Sequence, residues 1–131
     1  MINFYLKNKS IFYISNFILI ILYLSPCSIP GYILSNDCKF QPQITKDFII
    51  STNHLYAFIL ISTIGFFTFR RAKQLKILKI YLIFVAILLE IIHYFIPSRS
   101  FEFIDLFGNL IGVVITIILF YFLKNNENFK N

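Results

Sequence analysis

Four runs of apolar residues, separated by short polar stretches, set the pattern of this chain. They cover about residues 5–24, 48–69, 77–96 and 103–123. The last three approach or exceed the ~20 residues that a helix needs to cross a bilayer. The first is marginal. Its firm part is residues 11–24, with Phe4–Leu6 as an extension. It carries Ser15 and Asn16, and Lys7 and Lys9 would snorkel at its start. The pattern predicts an all-α integral membrane bundle of four transmembrane helices, forming one domain over residues 1–131. Residues 25–47 hold three prolines, Gly31, two cysteines and two aspartates, and are too polar for a span. Pro97-Ser98-Arg99-Ser100 predicts a tight bend between the third and fourth runs.

The first run has a rival interpretation. Two lysines, an apolar stretch and Ser25-Pro26-Cys27 also fit a cleaved signal peptide. Proline directly before the cysteine argues against cleavage there, and no small-x-small site lies nearby. A retained span is the expectation.

Composition agrees with a membrane chain. Hydrophobic residues make up 58% and charged residues 14%, where a soluble domain carries about 25% charged residues. The net charge of +6 is explained by where the basic residues fall. Lys7, Lys9, Arg70, Arg71, Lys73, Lys76, Lys79, Lys124 and Lys130 belong to the two ends and the loop between the second and third runs. Lys39, Lys46 and Arg99 are on the other side. Nine against three places both termini in the cytoplasm. No nucleic-acid partner is needed to account for the charge. Residues 25–47 and the bend then face outward, and the expected location is a cytoplasmic membrane, crossed several times. Cys27 and Cys38 suit a disulfide in an oxidising compartment or two free thiols equally. Ser98 or Ser100 would cap the fourth helix, with Glu102 and Asp105 near its positive end.

The candidate chemistry lies beside the bend. Glu90 and His93 are three apart and share a helix face. Asp105, Asn109, Gly112 and Thr116 form one stripe of the fourth helix. Gly108 and Gly112 make a GxxxG pair for close helix approach, and Gly65 is a further packing position. His54, next to Asn53, sits near the outer end of the second helix. An ionisable residue at the middle of a span costs at least ~2.5–3.5 kcal/mol, so such residues are presumed functional. Arg99 is the expected cation for Glu90 or Asp105. A cluster of Glu90, Arg99 and Asp105 that only locks two helices together competes with a binding role.

Specific chemistries find less support. Glu90-x-x-His93 has the spacing used in di-iron bundles, but such a site needs two of these motifs and two further glutamates. A mononuclear site from His54, His93 and a carboxylate fits by residue type, yet no spacing specifies it. The expectation is no metal and no cofactor. There is no GxSxG, no glycine-rich phosphate loop, and no cysteine near a histidine within the spans.

The combined motifs resemble the VanZ-like family of small bacterial membrane proteins. Members show a helix-initial His followed by aromatic residues, then Glu-x-x-Gln, an apolar residue and Pro-x-Arg, then Asp-x-x-x-Asn-x-x-Gly. Here the matching stretches are Asn53-His54-Leu55-Tyr56-Ala57-Phe58, Glu90-Ile91-Ile92-His93 with Pro97-Ser98-Arg99, and Asp105 through Asn109 to Gly112. The likeness covers about residues 48–123. Two positions depart from it. Thr52-Asn53 stands where members have Asp-Lys, and His93 stands for the usual Gln. The resemblance implies a cell-envelope function of the kind linked to teicoplanin resistance. It implies no established catalytic residue. The expected partners are the bilayer and a lipid-linked cell-wall precursor or glycopeptide, held by His54, Glu90, His93, Arg99, Asp105 and Asn109. An intramembrane acid/base enzyme and a purely structural subunit are the alternatives.

Overall fold

The computed structural model describes residues 8–69 and 71–125. These form five helices and no strand: α1 (Ser10–Leu24), α2 (Ile29–Ser35), α3 (Thr52–Thr68), α4 (Ala72–His93) and α5 (Phe103–Asn125). The suggested extension over Phe4–Leu6, and Lys7, Arg70 and Lys130, fall outside the described residues.

The four longer helices alternate in direction. At one end, Phe12 of α1 meets Phe69, just past α3, and Tyr81 of α4. Phe66 of α3 stacks on Phe120 of α5 near that end, with ring centroids 4.9 Å apart. At the opposite end Tyr23 of α1 meets His54 of α3 and His93 of α4. Phe58, Phe66, Leu82 and Val113 fill the centre and are almost completely buried.

Helices α3 and α5 run side by side, and the GxxxG positions lie between them. A β-carbon on Gly108 would come within 2.6 Å of the Ser51 carbonyl oxygen, and one on Gly112 within 2.7 Å of that of Leu55. Both obstacles are backbone, so neither can rotate away. Gly65 faces Leu78 and Phe12 instead.

The helix boundaries differ from the sequence pattern in three places. First, residues 25–47 contain α2. The Gly31 N–H donates to Ser28 Oγ at the start of this helix, Pro30 lies in its first turn, and Asn36 ends it in the left-handed region at φ 56°. A disulfide joins Cys27 to Cys38 around it, and the Ser28 N–H donates to the Cys38 carbonyl at 3.0 Å. Second, α3 begins at Thr52 rather than Phe48. Asp47 Oδ1 accepts from the Thr52 N–H at 2.7 Å and supplies the missing cap. Third, α4 starts five residues early, at Ala72 rather than Ile77, because Lys, Gln and Leu extend a helix readily. It stops at His93. Tyr94, Phe95 and Ile96 donate to carbonyls three residues back, a tighter winding that ends at Pro97.

The expected serine cap on α5 is also absent. Ser100 Oγ donates to the Glu102 carboxylate at 3.0 Å, while the Glu102 carbonyl accepts the first N–H groups of the helix.

Many large apolar side chains point outward, among them Phe17, Leu60, Phe84 and Phe122, each about 60% exposed. Among the described residues, α5 is long and apolar enough to cross a membrane by itself. Helices α1 and α2 together reach that length only as a pair bent by 76°. Helix α3 has 17 residues, and α4 carries Lys73, Lys76, Lys79 and Glu90.

Candidate functional site

The bundle end that carries the bend gathers five of the six polar residues singled out in the sequence. His54 comes from the first turn of α3, Glu90 and His93 from the last turn of α4, and Asp105 and Asn109 from the first turns of α5. Their placement follows from helix geometry. The i, i+3 spacing turns Glu90 and His93 to one face, and the i, i+4 spacing does the same for Asp105 and Asn109.

Asn109 organises one half of the cluster and is fully buried. Its Nδ2 donates to the Ala86 carbonyl at 3.3 Å, which fixes which end of the amide is oxygen. Oδ1 then accepts from the Tyr23 hydroxyl at 2.9 Å and faces His54 Nδ1 at 3.1 Å. An amide oxygen only accepts, so His54 Nδ1 carries a hydrogen. On a neutral ring this leaves a lone pair on Nε2, which lies 3.5 Å from Asp105 Oδ2.

The other half repeats that logic. His93 Nε2 lies 3.0 Å from the Tyr23 carbonyl oxygen, so it too carries a hydrogen. The His93 and Tyr23 rings stack, 17° from parallel. A neutral His93 therefore turns the lone pair of Nδ1 toward Glu90 Oε2, 3.4 Å away. Glu90 is completely buried. The backbone N–H of Glu102 donates to its Oε1 at 3.0 Å, and this aims Oε2 inward. Oε2 has no hydrogen-bond partner and lies 4.0 Å from His54 Nδ1. A buried acceptor left in that state costs about 1–3 kcal/mol or more, which the fold must recover elsewhere. One ligand-type atom each from His54, Glu90 and Asp105 fits within 4.8 Å of the other two.

Arg99 does not join this cluster. No ion pair within 4.0 Å links it to Glu90 or Asp105, which meet the histidines instead. The expected Glu90–Arg99–Asp105 lock is thus corrected. Ser98 adopts φ 66° and the Arg99 N–H returns to the Ile96 carbonyl, turning the arginine toward the end of α1 and the loop that follows it. Its Nε donates to the Ser25 carbonyl at 3.2 Å, tying the bend to the end of α1. There Arg99 and Lys39 line an open cavity of about 200 Å³ with Ser28, Cys38, Gln41 and Ser98.

Two participants escaped the sequence pattern. Tyr23 counts as one more aromatic in an apolar run, although a buried tyrosine hydroxyl needs a partner and so hinted at one. Glu102 acts through its backbone N–H, which no side-chain pattern can register. Of the residues singled out, His54, Glu90, His93, Asp105 and Asn109 come together, while Arg99 sits in the neighbouring cavity. Gly65 lies in the far half of the bundle. No family model matches the chain, and no curated protein or solved structure matches it either.

Proposed function

We propose that the chain is a VanZ-like integral membrane protein of the bacterial cell envelope. It has four spans, with both termini in the cytoplasm. Its outer end binds the anionic headgroup of a lipid-linked envelope component, or a lipophilic glycopeptide of the teicoplanin class. One observation carries the binding reading: Arg99 and Lys39 line one open cavity beside hydroxyl and amide groups. Two cations with neutral donors form a phosphate or carboxylate cradle, and a guanidinium suits such oxyanions well. Outward-facing Phe17, Leu60, Phe84 and Phe122 support a lipid surrounding. The basic residues, nine on one side and three on the other, support the orientation.

Binding is tested with the purified chain in nanodiscs, using phosphatidic acid against phosphatidylcholine as headgroup probes in native mass spectrometry. Arg99→Gln and Lys39→Gln should each lower retention of the anionic lipid about tenfold, a loss of roughly 1.4 kcal/mol. Equal retention of both lipids, unchanged in the variants, contradicts the proposal. Topology has its own test. Both native cysteines lie in the disulfide, so an introduced cysteine is the sole free thiol. Ser98→Cys should react with an impermeant maleimide in intact cells and Lys73→Cys should not. The reverse pattern inverts the orientation and removes the outward cavity.

A second reading has its own observation. Glu90 Oε2 is enclosed between two imidazoles, an arrangement suited to acid/base work on an envelope lipid. Lipid extracts incubated with the protein should then yield a changed species that Glu90→Gln fails to produce. Repeated absence of any product removes the enzyme reading.

A further inference from the structure

We propose that His54, Glu90 and Asp105 bind one divalent transition-metal ion, of the zinc class, through His54 Nε2, Glu90 Oε2 and Asp105 Oδ2. This proposal does not rest on the anion-binding reading. Its first support is the convergence of unshared electron pairs. Asn109 and the Tyr23 carbonyl hold the outer nitrogens of both histidines as donors. With neutral rings, acceptor faces acceptor in two pairs, His54 Nε2 with Asp105 Oδ2 at 3.5 Å and His93 Nδ1 with Glu90 Oε2 at 3.4 Å. Like-signed groups at this range repel unless a cation or added protons lie among them.

The second support is Glu90 itself. It is fully buried, and its inward oxygen has no hydrogen-bond partner. A buried carboxylate calls for a cation or a proton.

Distances fit the same ligand. Bonds of about 2.0–2.1 Å in a tetrahedral site put neighbouring ligand atoms roughly 3.3–3.4 Å apart. His54 Nε2 and Asp105 Oδ2 are separated by 3.5 Å. One ligand-type atom of each of the three residues lies within 4.8 Å of the other two, and Glu90 Oε2 stands 4.0 Å from His54 Nδ1, so binding through Nε2 requires a rotamer adjustment that draws the side chains inward. Three protein ligands of N, O, O type leave a fourth position for water or a substrate oxygen, as in catalytic zinc sites.

The orienting shell is also in place. Asn109 Oδ1 on His54 Nδ1 leaves Nε2 as the ligating nitrogen, and the Glu102 N–H on Oε1 directs Oε2. Metal-bound histidines and carboxylates are ordinarily held in this way. Asn109 and Glu102 are positioning residues. The sequence pattern led to no expectation of a metal, because His54, Glu90 and Asp105 are far apart along the chain and share no motif spacing.

The test uses the full chain without a histidine tag, purified in detergent and stripped with chelator. Zinc binding is read by equilibrium dialysis with elemental analysis, against excess magnesium, and by thermal shift. One zinc per chain is expected. Glu90→Gln, Asp105→Asn and His54→Gln should each weaken it by more than the roughly 10–100-fold that loss of an orienting partner alone costs. A Cys27→Ser/Cys38→Ser double variant should bind as the parent does, which excludes thiol ligation. Circular dichroism of each variant should match the parent, and a variant that does not fold is replaced by its alanine counterpart. Failure of the parent to bind zinc overturns the proposal, as does undiminished binding in folded Glu90 and Asp105 variants.

Discussion

Two polar regions share one end of this bundle and differ in almost every respect. The inner cluster of His54, Glu90, His93, Asp105 and Asn109 is drawn from three helices and is mostly buried. With both rings neutral its acceptors outnumber its donors, and Glu90 Oε2 has no hydrogen-bond partner. The outer cavity is built from the bend and the disulfide-closed loop, is open to its surroundings, and presents the cations Arg99 and Lys39. Nearness in sequence misassigns partners here. Arg99 lies nine residues after Glu90, yet it bonds to Ser25. Charge is sorted here by which element turns inward. Helix periodicity carries the acids and histidines in, and a left-handed Ser98 turns the arginine out.

The difference can be broken from the inner side first. Asn109→Leu removes the shared acceptor of Tyr23 and His54 while keeping the volume. Two buried donors then go unmet at about 1–3 kcal/mol each, so a loss of roughly 4 kcal/mol is expected. Unfolding in a denaturing-detergent titration measures it. Phosphatidic acid retention by the remaining folded protein should be unchanged, because the outer cavity does not use Asn109.

The outer side is broken by Cys27→Ser. Opening a cross-link between residues 11 apart costs up to about 3 kcal/mol on the chain-entropy account. Anion retention should fall with it, since Cys38 and Lys39 lie in the cavity wall. Zinc binding by the inner cluster should persist. Loss of both activities in parallel would show that the two regions form one unit.

A third substitution tests the contact that supports both. A valine at Gly112 would press on the Leu55 carbonyl and Phe58 of α3. Overpacking of this kind costs about 1–3 kcal/mol, so a fall near 2 kcal/mol is expected in the same titration. The smallest effect belongs to Tyr23→Phe. It removes one hydrogen bond to Asn109 and leaves the ring stacking, for about 1 kcal/mol. A loss of 3 kcal/mol or more there would make Tyr23 rather than Asn109 the organiser of the cluster.

Much of this architecture was legible in the order of residues, and for identifiable reasons. Apolar runs announced all four long helices, since burial or lipid contact demands such stretches. Polar residues at helical spacing announced the inner cluster, because 3.6 residues per turn aligns Glu90 with His93 and Asp105 with Asn109. Other features depended on contacts that no local pattern encodes. The α2 helix rests on Ser28 and on a disulfide whose formation the spacing left open. The α3 start rests on Asp47, five residues upstream. The roles of Tyr23 and Glu102 arise only after α1 and the bend dock on α4. The ligand-type trio draws one residue from each of three helices, so no single segment could show it.

Each histidine is held at one ring nitrogen by an oxygen acceptor and turns the lone pair of the other toward a carboxylate. The chain has just two histidines, so selective 15N labelling gives two ring systems to assign. Long-range 15N–1H correlation of the chelator-stripped protein at pH 8.5 reads which ring nitrogen holds the hydrogen. Nδ1–H on His54 and Nε2–H on His93 are expected, with a change in the His54 Nε2 signal when zinc is added. The opposite tautomers, or two rings each protonated on both nitrogens at that pH, would contradict this arrangement.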